Sequence, residues 1–152
     1  MKIISGGQTG ADRGALDAAL DRGHEIGGWV PRGRLAEDGP LADRYSGMTE
    51  TDSSDPGERT RRNVRDAAAT VVVSHGAPTG GSRLTLDEAR RLRRPVLHLD
   101  LDMIGPDAAA IRLREWLAVE RPAVLNVAGP RSSEDANIYL AVKMLLNAVL
   151  EP

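Results

Sequence analysis

Three stretches of the chain set glycine beside hydroxyl and amide side chains. They are Ser5-Gly6-Gly7-Gln8-Thr9-Gly10, His75-Gly76-Ala77-Pro78-Thr79-Gly80-Gly81-Ser82 and Asn126-Val127-Ala128-Gly129-Pro130-Arg131-Ser132-Ser133. A glycine has no Cβ, so the backbone can approach a ligand closely. Where such a stretch runs into a helix, the free N–H groups of the first turn carry partial positive charge. The chemistry these residues fit is the binding of an anion, a phosphate above all. In this reading Gly6, Gly7 and Gly10 bring the backbone close, Gln8, Thr9, Gly81 and Ser82 donate hydrogen bonds, and Arg131 neutralises charge. Gly80, Thr85, Asn126 and Gly129 complete the set. Asp12 either caps the helix that follows or holds a ligand hydroxyl, and the cap is the simpler reading. The competing account is that glycine, serine and threonine recur at strand-to-helix turns for turn geometry and capping alone, with Arg131 merely paired to Glu134.

Other chemistries lack their residues. There is no cysteine, hence no thiolate nucleophile and no disulfide. The phosphate-binding GxxxxGK[ST] loop is absent, and Gly7, Gly10 and Gly14 do not fit the GxGxxG spacing of a nicotinamide dinucleotide site. Neither GxSxG nor HExxH occurs. His24, His75 and His98 are far apart, and no metal site is expected.

The elements that must position these stretches alternate. Apolar runs predict strands over Lys2–Ser5, Glu25–Val30, Thr70–His75, Pro95–Asp100 and Ala123–Ala128. The third and fourth are nearly continuous apolar runs, which suits strands covered on both faces. Helical spacing predicts helices over Asp12–Arg22, Arg59–Ala68, Leu84–Arg93, Pro106–Glu120 and Asn137–Leu150. Strand followed by helix throughout implies an α/β, Rossmann-like three-layer sandwich with a mainly parallel sheet of about five strands. Each glycine-rich stretch then falls at the carboxyl edge of that sheet, where ligands of such folds bind.

Residues 31–57 break the rhythm. A polar segment this long reads as a lid or an oligomer contact inserted into a single domain spanning 1–152. Its Arg32 and Arg34, with Glu37, Asp38 and Tyr45, are placed to close over a ligand. The helix Asn137–Leu150 adds Leu140, Met144 and Leu146 to its inward stripe and is apolar nearly all round, so self-association as a dimer or tetramer is expected.

A net charge of −2 argues against nucleic acid or an anionic membrane as partner. No apolar run is long enough to span a bilayer. No basic-then-apolar leader is evident, so the expected location is cytoplasmic.

The stretches SGGQTGADRGALDAAL, GGWVPRGRLAEDGP, RTRRNVRDA, TGGSRLTLDEA and LNVAGPRSS, in this order, resemble the family named putative molybdenum carriers, a circularly permuted branch of the SLOG nucleotide-binding superfamily. The resemblance covers nearly the whole chain. It implies a Rossmann-like fold with a ligand at the glycine stretches: either molybdenum cofactor, a pterin bearing a phosphate and a metal dithiolene, or a nucleotide. The superfamily also holds phosphoribohydrolases of the Lonely Guy type, which cleave nucleoside monophosphates with a PGGxGTxxE motif. The matching stretch here keeps Gly80 and Gly81 but has Thr79 for proline, Arg83-Leu84 for the GT pair and Asp87 for the glutamate. A shift of one residue recovers Thr85 and Glu88 instead. The resemblance therefore leaves three functions open. They are a binding or carrier protein for a phosphate-bearing small molecule, a nucleotide N-glycosidase with Asp87 or Glu88 as general acid, and a nucleotide-sensing regulatory module.

Overall fold

The computed structural model describes residues 1–152. Six strands build the central sheet: β1 (Lys2–Ile4), β2 (Ile26–Val30), β5 (Met48–Glu50), β6 (Ala69–Ser74), β7 (Val96–Asp100) and β8 (Val124–Ala128). Their order is β5-β2-β1-β8-β6-β7, and every neighbouring pair is parallel. Five helices connect them: α1 (Ala11–Asp21), α2 (Pro56–Asp66), α3 (Gly80–Arg91), α4 (Pro106–Glu120) and α5 (Ile138–Val149). α5 packs against both α1 and α4, while α2 packs against α3. The sheet thus has a three-helix layer and a two-helix layer.

The core is aliphatic, as a chain without phenylalanine requires. Every residue of β6 is buried, in keeping with its unbroken apolar run. Ile3, Leu16, Leu99, Leu113, Leu125, Ile138 and Leu146 are the largest side chains with essentially no exposure. Of the three residues expected to make α5 apolar nearly all round, Leu146 lies in this core, whereas Leu140 and Met144 are exposed.

The sheet has six strands where about five were expected. The sixth, β5, comes from the segment at 31–57. Only Met48, Thr49 and Glu50 form it, and the last two are exposed. A short polar edge strand protects a sheet margin from further pairing, and it carries no alternating apolar pattern that a sequence reading could find. The same segment holds an antiparallel pair, β3 (Leu35–Ala36) with β4 (Gly39–Pro40).

That segment is tied down at three places. Arg13 on α1 grips Asp38 through two hydrogen bonds of 2.6 and 2.7 Å. Glu37 accepts from Ser133 Oγ at 2.6 Å, from Ser133 N at 3.1 Å and from the Thr9 hydroxyl. Asp17, buried on α1, accepts from Tyr45 Oη at 2.7 Å, from Arg44 Nη2 at 2.9 Å and from the Tyr139 hydroxyl. Burial and the Asp17 contact push the Tyr139 phenol up to about 12 and move Tyr45 in the same direction, so both stay protonated donors.

Two helices begin earlier than their periodicity suggests. α2 starts at Pro56, with Asp55 accepting from Gly57 N at 3.0 Å as its cap. α3 starts at Gly80, so Gly80-Gly81-Ser82 is its first turn rather than a loop before it.

Candidate functional site

At the carboxyl edge of the sheet, between the starts of α2 and α3, lies a cavity of about 420 Å³. Its floor is Asn126, Ala128 and Gly129 at the end of β8. Gly6, Gln8 and Asp12 come from the turn between β1 and α1. One wall is the first turns of α2, from Asp55 to Asn63; the other is Gly80 to Thr85 of α3, with Arg131 and Glu134 at the rim. The wall is almost entirely polar. The site sits where β8, last in the chain, inserts between β1 and β6, the kind of switch in strand order at which parallel α/β sheets bind ligands.

Arg59 gives the cavity its charge. It is only 7% exposed. Its Nη1 donates to the Gly6 carbonyl at 2.5 Å and its Nε to Thr60 Oγ1 at 3.4 Å. No carboxylate oxygen lies within 4.0 Å of it. A buried guanidinium without a contact ion pair is an expensive arrangement, and an anion in the cavity would relieve it. Gly6 is the reason Arg59 can lie there: a Cβ at position 6 would sit 2.8 Å from the Arg59 Nε.

The start of α3 supplies donors. Thr79 precedes it without a side-chain capping bond, and although Ser82 N donates to the Thr79 carbonyl at 3.1 Å, the Gly80 and Gly81 N–H groups keep their donor capacity. A Cβ at Gly81 would meet nothing within 4 Å; the space in front of it is the cavity. Ser82 is 3% exposed, and its hydroxyl has no hydrogen-bond partner. Buried hydroxyls are nearly always partnered, so this one marks a place where a ligand or water belongs. The start of α2 differs, because Asp55 already caps it.

Asp12 faces the same space from the first turn of α1. Burial pushes its carboxyl up to about 6, against the opposing pull of Arg59, of the Gln8 and Gly6 backbone N–H groups and of Arg13. Its Oδ2 accepts from Gln8 N at 3.2 Å. It is not the cap of α1, a position held by Gly10; it braces the turn before the helix.

Of the residues expected to bind ligand, Gly6, Gln8, Asp12, Gly80, Gly81, Ser82, Thr85, Asn126, Gly129 and Arg131 line this one cavity. The other five do not. Gly7 faces an apolar contact, where a Cβ would sit 2.9 Å from Leu41 Cδ2 and 3.1 Å from Val30 Cγ1. A Cβ at Gly10 would sit 2.5 Å from the Pro130 carbonyl, so this glycine lets the turn before α1 pack on the turn before α5. Thr9 accepts from Ser132 N at 3.1 Å and donates to Glu37, joining those turns to the inserted segment. Arg34 spends its guanidinium on the carbonyls of Leu41, Ala42 and Tyr45. Arg32 is exposed and lines no part of the cavity. Arg131 lies within 3.4 Å of Glu134 and 3.6 Å of Glu37, so its charge is shared with two carboxylates.

Asp87 and Glu88 are also absent from the cavity wall. Asp87 pairs with Arg83 along the exposed side of α3 at 3.0 Å. Glu88 is held below the usual carboxylate range by two hydrogen bonds from Arg91, at 2.6 and 3.0 Å.

The α2 wall is what the sequence reading missed. Placing the start of that helix at Arg59 hid the cap Asp55, while Arg59, Thr60, Arg61 and Asn63 fell inside the expected helix with no sign of which face they present. The signal was present. Asp55-Pro56-Gly57-Glu58 has a capping residue, a proline suited to the first helical turn and an early acid.

These features define a Rossmann-like α/β domain with a polar cavity at its topological switch. The chain belongs to the circularly permutated YpsA SLOG family, whose model matches residues 3–150. Among solved structures it is similar to a crystal structure described as a putative molybdenum carrier protein from Syntrophus aciditrophicus SB. The identity is 47%, the TM-score is 0.95, and the match covers 98% of this chain and 94% of that one. No curated protein matches the chain.

Proposed function

We propose that this chain is a binding or carrier protein whose ligand is a phosphate-bearing small molecule, molybdenum cofactor or a nucleotide, held in the cavity between α2 and α3. The observation that carries this reading is the buried, unpaired Arg59 facing the same space as the uncapped start of α3 and the unpartnered Ser82 hydroxyl. Two independent anion-favouring devices and one orphaned donor converge there. The description of the similar protein as a molybdenum carrier supports the carrier reading. The residues present fit the phosphate end of such a cargo. The chain has no cysteine, so any hold on the metal end would not be through a thiolate.

Calorimetric titration with inorganic phosphate, nucleoside monophosphates and molybdenum cofactor tests this. A charge-assisted hydrogen bond from Arg59 is worth about 1.5–3 kcal/mol. Arg59→Ala therefore weakens binding by roughly tenfold or more. Arg131→Ala has the smaller effect, because Glu37 and Glu134 already hold that side chain. Unchanged affinity in a folded Arg59→Ala protein would remove the anion site.

A further inference from the structure

A second cavity, of about 510 Å³, adjoins the first, and Ser82 and Glu134 line both. Its walls are the turn after β6 and the turn after β8, with Asp102 reaching in from the turn after β7. The charge balance shifts across the shared residues: Arg59, Arg61 and Arg131 stand beside Asp12, Asp55 and Glu134 in the first cavity. No arginine or lysine lines the second cavity, whereas Asp102, Glu134 and Asp135 do. Asp135 is fully engaged, bonded to His75 Nδ1 at 2.6 Å and accepting from Asn137 N at 2.9 Å. Glu134 is shared with Arg131. The Asp102 carboxylate accepts no hydrogen bond and joins no ion pair within the protein, while its backbone N–H is anchored to Asp100 Oδ1 at 2.9 Å. Pro78 and Pro130, from the two flanking turns, add apolar surface. The Ser82 hydroxyl, buried and without a partner, lies at the junction.

We propose that the two cavities form one bipartite site, with the ligand's phosphate in the first and the guanidine-like N–H edge of a planar heterocycle, as carried by guanine and pterins, against Asp102 in the second. The proposal rests on the anion reading above and narrows it to one ligand class. A carboxylate is an acceptor only and bonds best to two parallel donors. A ring amide N–H beside an exocyclic amino group offers that pair. Adenine sets a ring acceptor beside its amino group, and hypoxanthine keeps the ring N–H but lacks the amino group. Either would leave a carboxylate oxygen unpaired, which is how a hydrogen-bonding site rejects near-analogues.

The test is calorimetric titration of the whole chain with GMP, IMP, AMP and inorganic phosphate, repeated on Asp102→Asn. Asp102 is exposed and outside the first cavity, so the variant keeps its fold and its phosphate affinity. The expected result is GMP binding about tenfold or more tighter than IMP and AMP, with that preference lost in Asp102→Asn and inorganic phosphate bound equally by both proteins. Similar affinities for the three nucleotides, or a preference for AMP, would overturn the bipartite site and leave the anion site standing. A GMP preference that survives in Asp102→Asn would overturn the role given to Asp102. If neither phosphate nor any nucleotide binds, both readings fall together.

Discussion

Asp12 makes the buried charge of the site measurable. Its folded value of about 6 lies above the ordinary 3.8, so the folded state holds its proton more tightly than the unfolded chain does. The stability from this group is therefore fully present below about pH 4 and is lost as pH rises through about 6, a change of about 3 kcal/mol. Asparagine at this position can still accept from Gln8 N and does not titrate. Asp12→Asn should match the parent near pH 4 and exceed its stability at pH 8. Denaturant unfolding at both pH values checks this, and a parent–variant difference that is flat with pH would contradict it. The glycines separate at the same scale. Gly81 is helical with open space ahead of it, so Gly81→Ala should gain up to about 1 kcal/mol from helix propensity while its methyl group intrudes on the anion. Gly7 has a φ of +70° and a crowded apolar neighbour, so Gly7→Val should destabilise the fold whatever is bound. Thermal melts with and without phosphate distinguish the two.

The inserted segment is the element whose attachment can be tested. Asp17 anchors it through two donors, Arg44 and Tyr45, and also accepts from Tyr139 on α5. Asp17→Ala leaves the buried Tyr45 hydroxyl and the partly buried Tyr139 hydroxyl without their acceptor and should lower stability by about 2–4 kcal/mol. Limited proteolysis should then cut within residues 31–57 well before the parent is cut there. Equal resistance would mean that the Arg13–Asp38 and Glu37 contacts hold the segment unaided. The polarity and length of this segment read as a lid or an oligomer contact, and its charged residues mostly bond within the protein. Composition counts charges; only the fold shows that Glu37 lies over Ser133, which is 96 residues away.

Among the large apolar side chains that the core does not absorb, several lie on the α4 and α5 helices. Leu140 and Met144, one turn apart on α5, are 59% and 61% exposed. Ile111 and Val119 on α4 are exposed as well. Sedimentation at micromolar concentration should show a dimer or larger assembly. The double substitution Leu140→Glu with Met144→Glu should return it to monomer without unfolding it. A parent that sediments as a monomer would leave those side chains as isolated surface apolar groups.

The alternation of aliphatic runs with amphipathic helices determined the parallel sheet and its covering layers, because burying those faces admits few arrangements. Pro106–Glu120 was legible to the residue, since a Gly-Pro start fixes one end of that helix. The cluster at the carboxyl edge was legible in outline for a related reason: consecutive parallel strands place their following turns on the same edge. Tertiary structure alone decided what each residue there does. Gly6, Gly7 and Gly81 are alike as letters, yet one admits a guanidinium, one packs against leucine and one faces the cavity. The guanidinium that charges the site comes from a helix inside a run of arginines, and nothing local separates Arg59 from Arg61 or Arg62. What separates them is burial, which depends on a sheet edge assembled from segments more than 50 residues apart.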